Sequence, residues 1–504
     1  MPALVTKVKK IKQICGSEME GQIQSDDEQK SDKTKTKLYR RRCFFLLIIS
    51  TMGTIGGFNS VAFGQVSNIF AELFRVSYAQ VDWLTLGEIV GSVVVTAPLS
   101  WMMASKLLRL RMLLVGACFI TTVAYSCLAI SAVSRSLFPL MVSAQLLSSI
   151  ASAGMSATPI IFAALWFPEN QVGTAIGVIV MSAHLGSILG LTIPTNVLAQ
   201  PTRQENKTFA NETNHSWVAE DQVKFGAIFA TMVLILLIYD ILLFIFCTDR
   251  PPTPPTKAQE LKLESDQFSG FLSLKAYIDL LKALFKNKNY ILSSVAFGIL
   301  NQANMVEITM LSQILRHDFE ANVNIRQHAD VLGGYIMTVL SASSLIGSAV
   351  GAKIVDRYKR YNVITILSVL FTFVSSVGLL FAFFFKSLPL WFVFSALYGF
   401  LRQPGVIAIF DLVAQETYPM DEMFVTIWLN LFVTLMSIFF GEMGRVIFNA
   451  VGSFPVLSFQ SSCLLVGALL SCFMKLQNKR LNAETSSALS QTQVDERTAL
   501  MTDE

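Results

Sequence analysis

Glu88, His184, Glu307 and Arg402 are ionisable residues inside runs of mostly apolar sequence. A charge at the middle of a bilayer costs at least ~2.5–3.5 kcal/mol on insertion scales, so such groups point to solute binding, ion pairing or proton transfer. Arg402 lies about the middle of its run, directly before the helix-breaking pair Pro404-Gly405. That position predicts a side chain facing a cavity, where it binds an anionic group or pairs with Glu307 or Glu88. His184 titrates near neutral pH. It reads equally as a proton carrier and as an interhelical hydrogen-bond partner. Asn301, Gln302 and Asn304 interrupt the run that also carries Glu307. Glu442 and Arg445, three residues apart, read as a local ion pair on one helix face. Asp240 reads as part of a polar cluster near an interface.

The elements that must position these residues are long helices. Apolar residues make up 53% of the chain, and the mean hydropathy is +0.54. A helix crossing the ~30 Å hydrocarbon core needs about 20 such residues. Twelve runs qualify, at 43–66, 83–104, 112–133, 138–166, 172–198, 225–247, 290–314, 331–354, 363–385, 389–413, 423–447 and 456–475. The expected fold is an all-α membrane protein with twelve transmembrane helices in two pseudo-symmetric six-helix bundles. The expected organisation is a disordered cytosolic arm over 1–42, a first bundle over 43–247, a basic cytosolic linker over 248–289, a second bundle over 290–475 and a cytosolic tail over 476–504. Within the linker, Pro251-Pro252-Thr253-Pro254-Pro255 stops the sixth span. Residues 271–286 then set Leu274, Ile278, Leu281 and Phe285 on one face and Lys275, Asp279, Lys282 and Lys286 elsewhere, the pattern of a helix lying on the inner leaflet.

Lys and Arg concentrate on one set of loops: Arg40 to Arg42, Lys106 to Arg111, the linker, and Arg357 to Arg360. The positive-inside rule therefore places both termini in the cytosol. Three glycosylation sequons, at Asn206, Asn211 and Asn214, fall in the loop 199–224 expected on the opposite side. They fit the plasma membrane, and also an endolysosomal membrane, for which Glu496 to Met501 resembles an acidic di-leucine signal. No cleavable signal peptide precedes the first span. The net charge of +4 belongs to loops facing anionic lipid and does not suggest nucleic acid. The cysteines form no CxxC pair, so neither disulfide nor metal site is expected. No Walker loop, HExxH or nucleophile elbow is present, which speaks against an enzyme, a cofactor and ATP-driven pumping.

The two halves echo each other. Trp166-Phe167-Pro168-Glu169 follows the fourth run and Thr417-Tyr418-Pro419 follows the tenth. Basic turns follow the second and the eighth. Corresponding features at corresponding places mark duplicated halves. Gly53, Gly56 and Gly57 crowd the first run and the Asn301–Asn304 segment interrupts the seventh, so both read as substrate-site helix breaks. For the glycines close helix packing is the equal alternative.

Gly351 to Arg360, with Asp356, Arg357 and Arg360, resembles the basic-turn motif of the major facilitator superfamily. It carries Ala352 in place of a glycine, and the first-half copy at Ser105–Arg109 lacks the acid. A closer resemblance covers nearly all of the membrane region. Val81-Asp82-Trp83-Leu84, Ala164 to Glu169, His184-Leu185-Gly186, Pro251 to Thr256 and Glu416 to Pro419 resemble solute carrier family 49, the feline leukaemia virus subgroup C receptor-related transporters, and within it the domain-containing-protein-7 branch. The resemblance implies a twelve-span carrier of heme-, choline-, ethanolamine- or pyridoxine-type solutes. Choline-handling members place aromatics from spans 1 and 7 around the ammonium. The matching positions here are Ser60 and Met305, and two family glutamines appear as Ser152 and Thr434, whereas Asn430 and Gln313 match. The expected function is secondary active transport of a small organic solute by alternating access, with proton coupling through His184 as an option and choline disfavoured. Arg402, Glu307, Glu88, His184, Gln302, Asn304, Asn430 and Gln313 are the candidate site. The alternative is a non-transporting receptor or sensor on a carrier fold. The expected partners are substrate, protons and membrane lipid, with the chain as a monomer.

Overall fold

The computed structural model describes residues 41–63, 67–105, 107–156, 158–168, 171–198, 214–249, 251, 253, 273–303, 305–319, 328–417, 420 and 422–474. The expected arm and tail lie almost wholly outside these residues, as do Asn206 and Asn211.

In the first half, α1 (Arg41–Ala62) forms span 1, and a short α2 (Ser67–Phe74) leads to α3 (Tyr78–Ala104), span 2. Span 3 is α4 (Leu110–Ser131). Span 4 is broken into α5 (Phe138–Met155) and α6 (Thr158–Trp166), followed by α7 (Val172–Leu198) and α8 (Asn214–Phe246) as spans 5 and 6. The linker contributes α9 (Leu274–Lys286). Span 7 is split into α10 (Lys288–Gln302) and α11 (Met305–Asp318). Spans 8 to 12 are α12 (Ala329–Tyr358), α13 (Tyr361–Phe384), α14 (Leu388–Thr417), α15 (Glu422–Val451) and α16 (Ser453–Cys472). Eleven helical stretches among the described residues are long and apolar enough to cross a bilayer. The seventh span is missing from that number because each of its pieces is too short alone.

Packing follows the duplication. Spans 1–5, 2–4, 3–4 and 3–6 pair in the first half, and 7–11, 8–10, 9–10 and 9–12 pair in the second. The two halves meet along spans 5 and 8 and along spans 2 and 11, seams that exchange under the same six-span shift. Apolar side chains such as Leu47, Val94, Phe119, Phe244 and Phe384 remain exposed on the outside. In a membrane protein this is the surface that meets lipid, where burial brings no further gain.

Three expectations are corrected. Span 6 begins at Asn214, so the stretch 214–224 is helix rather than loop. Span 1 is unbroken, because Gly53 and Gly57 serve packing. A Cβ on Gly57 would drive into the backbone oxygen of Ala183, and one on Gly186 or Gly190 into the oxygens of Thr54 or Phe58. Spans 1 and 5 thus interlock glycine against backbone. Span 10 continues through Pro404. Proline removes its own N–H and crowds the carbonyl four residues earlier, at Phe400, and span 8 holds the site closely: Gly347 lies against Phe400 and Gly351 against Pro404.

The breaks in spans 4 and 7 have local causes. Pro159 takes a donor from the first turn of α6 and cannot continue the preceding turn. In span 7 the helix ends at Gln302 and restarts at Met305, across the amide-rich segment that competes with the backbone for hydrogen bonds.

A valine at Gly57 or Gly186 should cost about 1–3 kcal/mol of overpacking, because the obstacle is backbone. A valine at Gly56, beside which no atom lies within 4 Å, should leave stability unchanged. Thermal unfolding of the three purified variants in detergent checks the contrast.

Candidate substrate site

Each half carries a polar cluster inside its bundle. In the first half Asn59 of α1, Glu88 of α3 and Gln145 of α5 converge. The Asn59 amide Nδ2 donates to Glu88 Oε2 at 3.0 Å and to Gln145 Oε1 at 3.2 Å. Gln145 Nε2 donates back to Asn59 Oδ1 at 3.4 Å. Ser152, two turns further along α5, donates to Glu88. Asn59 and Gln145 are buried, whereas Glu88 is half-buried and Ser152 exposed. The cluster therefore has a closed back and an open mouth, lined by a carboxylate and a hydroxyl. Tyr125 closes it from α4, donating to the Ile55 carbonyl at 3.2 Å.

The second cluster is built on the break in span 7. In an unbroken helix the Asn301 carbonyl would accept from the N–H four residues on. Here the Asn301 carbonyl, at the end of α10, accepts from Arg402 Nη1 at 2.9 Å. Arg402 is only 6% exposed. Its neighbour Gln403 lies 2.8 Å from His184, amide Nε2 to ring Nε2. This contact crosses between the halves, from α14 to α7. The amide donates there when His184 presents an unprotonated ring nitrogen.

Span 4 repeats the device. Asn430 of α15 donates to the carbonyl of Ser156, at the break, at 3.2 Å, and to Thr426 O on its own helix at 3.1 Å. It too reaches across the halves. Both breaks are therefore capped by a long polar side chain from another helix.

At the basic end of the bundle, Asp356 at the close of α12 meets the start of α7. Its carboxylate accepts the Gly173 N–H at 3.0 Å, the Thr174 N–H at 2.9 Å and the Thr174 hydroxyl at 2.5 Å. These are orphan donors of a helix N-terminus, where a negative charge is favoured. Gly173 and Gly177 admit the approach, since a Cβ at either would meet Asp356 or Ala352. Arg357 and Arg360 are exposed and do not join this contact; the Arg357 guanidinium lies 5.8 Å from the Tyr358 ring centre.

The structure thus places Glu88, His184, Arg402 and Asn430 at polar contacts inside the bundles. Gln313 is exposed on α11, apart from both clusters. The side chains of Gln302, Asn304, Glu307 and Asn214 lie outside the described residues. Glu442 and Arg445 stand 4.0 Å apart on one exposed helix face, a local pair. Asp240 accepts the Thr122 hydroxyl at 2.7 Å, between spans 6 and 3. Asn59, Gln145 and Gln403 are candidate site residues that a search for charges passes over; the signal available for them is a neutral amide within an apolar run.

The sequence profile described as Major Facilitator Superfamily matches residues 44–441. The human choline/ethanolamine transporter FLVCR2 is 26% identical over 463 residues, covering 90% of this chain and 81% of that protein. The mouse choline/ethanolamine transporter FLVCR1 is 24% identical over 90% of this chain and 78% of its own length. An uncharacterised MFS-type transporter of Caenorhabditis elegans is 24% identical over 91% of this chain and 73% of that protein. These relatives support the resemblance to solute carrier family 49. Among solved structures, the outward conformation of FucP superposes with a TM-score of 0.64 at 13% identity, covering 87% of this chain and 100% of that one. The proton:xylose symporter XylE superposes with a TM-score of 0.57 at 13% identity, over 87% and 98%. With the profile spanning most of the chain and the twelve-span fold matching, this multi-pass membrane protein belongs to the major facilitator superfamily.

Proposed function

We propose that the chain is a secondary active carrier that moves a small organic solute by alternating access, with the two polar clusters as its binding and coupling groups. The observation that carries this reading is the inter-half contact of His184 with Gln403 beside the buried Arg402. A hydrogen bond between two rigid bundles, next to a charge, is a contact that rocking of one bundle against the other must make and break. Asp356 on the α7 N-terminus supplies a second such contact at the basic end, so the two ends of the bundle can open separately. The basic end is the cytosolic one in this reading, with both termini inside and the chain acting as a monomer in the plasma membrane.

The substrate follows from the lining. The names of the relatives point to choline or ethanolamine. A quaternary ammonium has no N–H and is held best by aromatic faces, and the two family positions for those aromatics are Ser60 and Met305. The Ser60 hydroxyl donates to Gly57 of its own helix at 2.9 Å. Glu88 and Ser152 instead offer oxygen acceptors, which suit a protonated primary amine of the ethanolamine type. His184 is the group placed to couple a proton, since it joins both halves.

Uptake into proteoliposomes of labelled choline, ethanolamine, pyridoxine, heme and organic anions, with and without a pH gradient, tests the reading. Ethanolamine flux above that of choline is the expected outcome; folded protein with no flux of any member would move the weight to a receptor or sensor. Arg402→Ala should lower the flux of the transported solute about 10-fold to 100-fold, the range for losing a hydrogen bond from a charged group at about 1.5–3 kcal/mol. His184→Gln should flatten the pH dependence of uptake, and an unaltered profile would remove it as the proton carrier. Asp356→Asn should weaken the α7 contact by up to about 2 kcal/mol. Spin labels at the basic ends of α7 and α12 should then show a larger population of long distances.

A further inference from the structure

The linker helix α9 has three faces rather than two. Tyr277 and Leu284 are buried against the bundle. The Tyr277 hydroxyl lies 2.5 Å from the Ser100 hydroxyl and donates to Ala97 O at 3.2 Å, both on span 2. Its ring packs edge-on against Phe424 of span 11, 5.8 Å between centres. Phe285 reaches Trp428 at 5.5 Å and Phe432 at 6.2 Å, also on span 11. One helix therefore straps the 2–11 seam between the halves.

The next strip around the helix is apolar and open. Leu274 is 61% exposed and Ile278 42% exposed. Beyond it comes a row of cations, Lys275, Lys282 and Lys286, all exposed. The only acid on α9 is Asp279, which lies 3.6 Å from Lys282. A sequence of protein-facing, apolar and cationic strips is the arrangement of a helix lying along a membrane surface. Its depth agrees. Ala97 stands seven residues from the end of α3 at Ala104, about 10 Å along a helix rising 1.5 Å per residue. That places α9 close to the boundary between acyl chains and headgroups, with Leu274 and Ile278 beside the former and the lysines beside the latter.

We infer that α9 is a binding site for anionic phospholipid headgroups, held by Lys275, Lys282 and Lys286, which ties the charge of the adjoining leaflet to the strap across the 2–11 seam. Each lysine near an anionic surface is worth about 1 kcal/mol, or about fivefold in affinity. Asp279 opposes the interaction. Because the strap touches both halves, an occupied headgroup site favours the arrangement in which it is seated. The inference is independent of the substrate, and its test needs no transport.

The full-length protein is placed in nanodiscs of phosphatidylcholine with and without phosphatidylserine. Native mass spectrometry reads which lipid is retained, and hydrogen–deuterium exchange reads the amides of 274–286. The wild type should retain phosphatidylserine preferentially and exchange more slowly over 274–286 in its presence. The triple variant K275Q/K282Q/K286Q should lose both effects, with its core packing intact because all three side chains are exposed. D279N should act in the opposite direction and strengthen retention. Equal retention by wild type and triple variant, or exchange unaffected by phosphatidylserine, would overturn the proposal. So would protection of 274–286 by soluble polyglutamate in neutral discs without any effect of phosphatidylserine, which would assign the lysines to an acidic peptide.

Discussion

A backbone carbonyl left unpaired inside a bilayer has no water to turn to, and each such group costs several kcal/mol. This constraint organises the candidate site. Spans 4 and 7 are both interrupted, and at each interruption a carbonyl accepts a side-chain donor from another helix. Arg402 donates to Asn301 and Asn430 to Ser156. The side chains that look functional in the sequence are thus also the groups that make broken helices tolerable. Their positions in the membrane follow from where the breaks occur. A polar residue at these points is set by a backbone requirement before any solute arrives.

Span 5 is the element through which the halves communicate. Its middle part is interlocked with span 1 by glycines pressed against backbone, a contact of high density and little freedom. Its contacts with the second half combine close glycine packing, Gly173 and Gly177 against Asp356 and Ala352, with hydrogen bonds: helix N–H groups on a carboxylate at one end and an amide beside an imidazole further along. The strap α9 lies on the second seam, 2–11, and adds aromatic contacts to it.

Much of this was legible in the sequence. Runs of about 20 apolar residues must be helices in lipid, so the twelve spans could be read directly, and the echo between Trp166–Glu169 and Thr417–Pro419 disclosed the duplication. Glu88, His184 and Arg402 stood out because a charge in an apolar run is costly. Asn59 and Gln145 did not, since a neutral amide in a run is a weaker signal, yet Asn59 is the donor that ties Glu88 to Gln145. Pro404-Gly405 was misleading: local chemistry favours a break there, and packing by Gly347 and Gly351 overrides it. The glycines of span 1 admitted two readings until their partners on span 5 were known.

The sequence by itself determined the number of spans, their helical state, the concentration of basic residues on one set of loops and the inventory of polar groups in the membrane. These are properties of single segments in a given solvent, fixed by hydropathy and by the cost of exposed backbone. The tertiary structure alone decided which helix caps which break, which glycine meets which backbone, and which side chains join the halves. Such choices depend on contacts between residues far apart in the chain, as with His184 and Gln403 or Asn430 and Ser156, and no local rule of propensity or period contains the distance between them.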